Sequence, residues 1–124
     1  MPKKSVEADP TMPKTPIVIE GKTYFMCLNL GALAKAEEEL VANGYDVNLL
    51  ISLPPINLRS TRIVFAASLR YFHPEIAYED ALELLTLPYV HAAYGAVIDA
   101  WNKAMPEPAK DEKNPTEPGS EEKS

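Results

Sequence analysis

Cysteine is almost absent. Cys27 stands alone, which excludes an internal disulfide and fits a reducing compartment. Histidine is scarce too: the chain has two, His73 and His91. Neither sits in a metal-ligand spacing such as HExxH, so a cap or surface role is the better reading of each. The five glycines are scattered, and no Gly-rich phosphate loop can be built from them. Basic charge is in deficit, with 12 Lys and Arg against 18 Asp and Glu. The resulting net charge of −6 argues against nucleic acid as the main partner. No apolar run approaches the ~20 residues that span a bilayer. The segment MPKKSVEADPTMPKTP has no apolar stretch after its lysines, so a signal peptide and a membrane anchor are not expected.

What is present is an ordinary apolar fraction, 46%, in one domain's length of chain. The expected fold is mainly α with a short N-terminal β-hairpin, a small helical domain of about four to five helices with disordered ends. Residues 1–15 read as a disordered arm, 16–105 as the hairpin plus helical domain, and 106–124 as a disordered acidic, Pro-rich tail.

The organising stretch is Asn57 to Pro74. Asn57 is a good N-cap, and the His73–Pro74 step predicts a helix end near Phe72. Leu58, Phe65, Leu69 and Phe72 share one side at helical spacing. Thr61, Val64, Ser68, Tyr71, Ile63 and Ala67 widen it, leaving a narrow stripe of Arg59, Arg62 and Arg70. So wide an apolar arc predicts a core helix with one edge in water.

Before it, PIVIE and KTYFMCL read as a hairpin turning at Glu20–Gly21. Tyr24, Met26 and Leu28 share one face; Phe25 and Cys27 share the other, which is available to a partner. Asn29 caps a helix LGALAKAEEELVAN that buries Leu30, Leu33, Ala36 and Leu40 and ends at Gly44. Asp46 can cap a short helix, VNLLISL, burying Val47, Leu50 and Ile51, before Pro54–Pro55 stops it. After Pro74, Glu79 and Asp80 favour a helix start, with Tyr78, Leu82 and Leu85 inward. Pro88 opens the last helix, whose stripe is Val90, Tyr94, Val97, Trp101 and Met105.

Catalytic groupings are not visible. Cys27 has no CxxC partner and lies in an apolar strand, so an inert thiol is expected. Glu37, Glu38 and Glu39 are consecutive on a helix and cannot converge on one ion; a solvated face accounts for them. The arginine stripe could enter a major groove, but ion pairing with the acidic first helix or with Glu79 and Asp80 is the simpler account. No catalytic, cofactor-binding or metal-binding residue is assigned, and no enzyme is expected.

The pattern from about Ile17 to Met105 resembles the tail assembly chaperones of long-tailed phages, prophages and gene transfer agents. The resemblance lies in a hairpin with Gly21, Lys22 and Tyr24, then a helix with Ala32, Leu33, Glu37 and Glu38 closing at Gly44. An apolar helix with Leu69, Arg70, His73 and Pro74 follows, then a short acidic helix and an Ala-rich last one. Ala77 departs from it, standing where Thr or Ser would cap the acidic helix.

The resemblance implies a non-enzymatic, oligomer-forming role in the host cytoplasm, absent from the mature virion. Such proteins are similar in coating the tape measure protein before tail tube subunits assemble around it. Many also exist in a longer, frameshifted form, and residues 106–124 would suit such an extension. For client or self contact the expected surface lies between the central and last helices and on the outer hairpin face. Phe25, Phe65, Tyr71, Tyr94 and Trp101 are its candidate residues. Two other classes stay open: a structural head–tail joining or tail terminator protein, and a small DNA-binding regulator using Arg59, Arg62 and Arg70.

Overall fold

A computed structural model describes residues 12–105. The chain is mainly α with a two-stranded antiparallel hairpin at its start. Strand β1 is Thr15–Ile19 and β2 is Lys22–Met26. Helices α1 (Leu30–Ala42), α2 (Leu58–Ser68), α3 (Tyr78–Leu84) and α4 (Val90–Ala104) follow, with a 3₁₀ turn at Leu87–Tyr89 leading into α4. The tail and most of the N-terminal arm lie outside the described residues. Residues 12–15 of that arm do not: Thr15 is buried and begins β1.

The hairpin turns at Glu20 (φ 51°) and Gly21 (φ 81°). Two consecutive positive φ values match the right-handed twist of the flanking strands, and Gly21 takes its share without steric cost. Ile17, Ile19, Tyr24 and Met26 point inward, as period-two alternation requires. Pro16 lies opposite Phe25. The Phe25 N–H is directed away from β1, so the proline costs the ladder nothing there.

Helix α2 is the centre. Everything from Ser60 to Leu69 is buried except Arg62, and Phe65 is fully enclosed. Helices α1, α3 and α4 each pack against it. Burying Phe65 contributes on the order of 1.5–3 kcal/mol. Its start is set by a capping box: the Ser60 N–H donates to Asn57 Oδ1 at 2.9 Å, and the Asn57 N–H to Ser60 Oγ at 3.1 Å. The helix ends at Ser68, four residues before Phe72. Its last turn tightens, with Leu69 and Arg70 donating to the carbonyls three residues back. The Ser68 carbonyl accepts instead from the Cys27 N–H at 2.8 Å, so the strand exit takes the bond that the helix would have used.

Helix α1 is capped at Asn29 and closed by Gly44 at φ 91°. The Gly44 N–H reaches Val41 O and the Tyr45 N–H reaches Leu40 O, both at 3.0 Å, which is the Schellman arrangement. Helix α3 has no side-chain cap at Ala77, in keeping with the residue found there.

The expected short helix at 47–53 is not formed. Asn48 caps a single turn, its Oδ1 accepting from the Leu50 N–H and its carbonyl from the Ile51 and Ser52 N–H groups, and Pro54 follows too soon for another turn. The inward residue is Leu49, 1% exposed, while Leu50 is 63% and Ile51 72% exposed. Leu30 and Leu58, also expected inside, stand at helix starts and are exposed at 73% and 50%.

His73 does more than end a helix. Its imidazole Nε2 accepts the Phe25 N–H at 3.0 Å, and its ring stacks edge-on with Tyr24 at 5.4 Å. It ties the hairpin to the end of the central helix. His73→Ala leaves that amide without a partner, and urea unfolding is expected to show a loss of about 1–3 kcal/mol. His73→Gln, which keeps an acceptor at similar reach, should recover most of it.

Candidate functional site

The loop after α1 is fixed by one residue. The Leu49 N–H donates to Glu37 Oε1 of α1 at 2.9 Å, and its carbonyl accepts from Trp101 Nε1 of α4 at 2.8 Å. With its backbone held from both sides, Leu49 fills the gap between the two helices and the next two residues face outward. Glu37 is therefore more than a solvated carboxylate.

Beside this loop lies an open cavity of about 280 Å³, floored by Met26, Leu28, Leu33, Ala100 and Ala104. Its rim carries Met12, Leu30, Leu50 and Met105. A second depression of about 380 Å³ lies on the other side of Leu30 and Leu50 and includes Val47, Leu49 and Glu37. The two leucines form a ridge between the depressions. They are exposed because α1 begins at Leu30 and the loop turns at Leu50, so neither has a covering element.

The arm closes one end. Lys103 donates to the Lys14 carbonyl and pairs with Asp99, both at 3.0 Å. Asp99 also accepts from Thr15 Oγ1 at 2.9 Å, and these two bonds hold its carboxyl below the usual range. Cys27 lines the cavity but is 2% exposed, and burial pushes its thiol up, away from nucleophilic character.

The expected partner residues are not brought together. Phe65 is a correction: at 0% exposure it has no surface to offer, because α2 is wrapped on nearly every side. Phe25 is half-buried and flanked by its own neighbours. Lys14 Nζ lies 4.8 Å from the ring centroid, and His73 stacks at 6.5 Å. Phe25 and Tyr71 share Phe72 as a neighbour. Tyr94 meets His91 edge-on at 5.6 Å, and Trp101 is turned to Leu49. Phe25 is thus occupied by the chain itself, while Val18 on the same outer hairpin face is 54% exposed.

The arginines divide. Arg62 donates to Leu82 O at 3.2 Å and pairs weakly with Glu83 at 3.5 Å, not with Glu79, Asp80 or α1. Arg59 and Arg70 are exposed near the two ends of α2. A helix so enclosed cannot lie in a DNA groove, which removes the geometry that a recognition helix needs. Lys35 pairs with Glu39 at 2.9 Å, which raises its pKa, and its Nζ sits 4.7 Å from the Tyr78 ring centroid.

Among the described residues, no three His, Cys, Asp or Glu side chains are grouped to hold a metal ion. No single helix among them is long and apolar enough to cross a membrane. Comparison with protein-family models, with curated proteins and with solved structures returns no match.

The sequence reading missed Leu30, Leu50 and Met12. A signal was there for Leu50: Leu49, Leu50 and Ile51 are consecutive, and a short loop over one groove can bury only one of three such neighbours.

Two outcomes follow from these contacts. Trp101→Phe keeps the ring but removes the Leu49 bond; a loss of about 1 kcal/mol is expected, with faster amide exchange in residues 46–53. Tyr78 is pushed up to about 12 from 10.0, by burial first and then by Glu39 and Glu79. The unfolded chain therefore loses this proton first. Its contribution is complete below about pH 10 and fades as pH rises toward 12, so Tyr78→Phe should flatten the alkaline limb of a stability–pH curve.

Proposed function

We propose that this protein is a non-enzymatic assembly chaperone of the phage-tail kind. It holds a helical, aggregation-prone segment of a tape measure protein in the host cytoplasm until tail tube subunits assemble. The observation that carries the reading is the ridge of Leu30 and Leu50 between two open depressions, joined by exposed Ile51, on a chain of net charge −6. Large aliphatic side chains left in water at one place are what a contact surface for another protein requires. Acidic charge elsewhere keeps such a molecule soluble while the surface is open.

The resemblance from Ile17 to Met105 supports the same reading, and the hairpin and helix order agree with it. Self-association and a longer, frameshifted form belong to this proposal as further partners of the same system. A structural head–tail joining or terminator role would need the chain to remain in the particle.

Co-expression with a long helical candidate client tests the proposal. The client should be soluble with the wild-type chain and insoluble with the Leu30→Asp/Leu50→Asp variant, whose substitutions sit at exposed positions. Purified particles should lack the chain by mass spectrometry. A client equally insoluble with and without the chain, or stoichiometric chain in particles, would overturn it.

A further inference from the structure

We infer that the depression between α1, α3 and the end of α2 binds a carboxylate carried on a short apolar body. The site lies apart from the surface of Leu30 and Leu50. The inference goes beyond the chaperone reading and does not rest on it.

The shape comes from small residues. The depression holds about 200 Å³ and is lined by Ala66 and Ala67, two buried alanines of α2, with Ile76 beside them. Three polar side chains share that lining: Lys35 of α1, Arg70 just past α2, and Tyr78 at the start of α3. All three donate hydrogen bonds, and only the tyrosine oxygen can also accept. An occupant rich in acceptors is therefore matched at this end. The alanine and isoleucine side chains offer no hydrogen bond, so the rest of the occupant is apolar.

The charge of the occupant follows from which donors are free. Lys35 is matched within the chain: its Nζ pairs with Glu39 at 2.9 Å and lies 4.7 Å from the Tyr78 ring centroid. Arg70 is not matched. Among the described residues no hydrogen bond or ion pair engages its guanidinium, and no hydrogen bond engages the Tyr78 hydroxyl. Burial first, then Glu39 and Glu79, push that hydroxyl up to about 12, so it remains a donor at neutral pH. Neither carboxylate is among the residues lining the depression. One unmatched guanidinium suits a monoanion, and its planar fork can engage both oxygens of a carboxylate. A phosphate dianion would bring more charge than one guanidinium balances and would leave the alanine side unfilled.

Benzoate is the probe, titrated at constant ionic strength into the full chain labelled at alanine and isoleucine methyls. Its ring should move Ala66, Ala67 and Ile76 and leave Ile51 in place. Benzamide, the same shape without the charge, should bind at least about tenfold more weakly. Arg70→Gln should lose about tenfold in benzoate affinity, Arg70→Lys should recover part of it, and Tyr78→Phe should lose a fewfold. Ile63 methyl signals that stay in place in each variant separate a lost contact from a lost fold.

A free acid and a protein C-terminus share this chemistry. A short peptide ending in phenylalanine, its C-terminus free or amidated, separates them. Tighter binding of the free-carboxylate peptide than of benzoate assigns a chain end, and binding of benzoate without the peptide assigns a small acid. Equal binding of benzamide, shifts from inorganic phosphate as large as those from benzoate, or full affinity in Arg70→Gln would overturn the inference. So would unmoved Ala66, Ala67 and Ile76 methyls at tens of millimolar benzoate.

Discussion

The backbone of Leu49 is held from two directions, and the exposed surface of this protein follows from that. Glu37 takes its amide and Trp101 its carbonyl, so the loop cannot rotate to bring Leu50 or Ile51 inside. Together they fix which one of three adjacent apolar residues is buried, and they place a carboxylate and an indole where surface residues were expected. The cost of exposing two aliphatic side chains is of the order of a few kcal/mol, offset by the filled gap between α1 and α4.

The same economy of parts appears at the other end of α2. The central helix is packed by three helices, the two-stranded hairpin lies against α4, and a hairpin of that size has little stability of its own. It is held by Cys27 to the Ser68 carbonyl and by Phe25 to His73. Both bonds run from the end of β2 and the residue after it to the last residue of α2 and the turn that follows, so the hairpin exit and the helix terminus are tied together. The aromatic residues there serve that junction, which is why Phe25 is covered by Lys14, Phe72 and His73 in place of a partner.

Much of the fold was legible in the sequence because local chemistry and tertiary demand agree. Asn57, Asn29, Gly21 and Gly44 each do locally what their residue type favours, and period-two and 3.6-residue patterns placed the hairpin and the helices. The errors fall where a long-range bond decides. Nothing near Leu49 in sequence reveals that Glu37 and Trp101 will hold it, and nothing around Ser68 reveals that a strand will take its carbonyl. Phe65 was misjudged for a related reason: periodicity gives the face of a residue, and the number of neighbours around that face is a tertiary property. The surface that carries the functional proposal was invisible for the same cause, since Leu30 and Leu50 have helical spacing and aliphatic character but no covering element.

Methyl NMR of the full chain, labelled at leucine and isoleucine and titrated with a helical client, tests the central claim most directly. Contact through the Leu49 loop predicts shifts confined to Leu30, Leu33, Leu50 and Ile51, with Ile63 and Leu69 of the core unmoved. Shifts centred on Leu58 or Leu69, near Arg59 and Arg70 at the ends of the central helix, with the loop leucines silent, would contradict it.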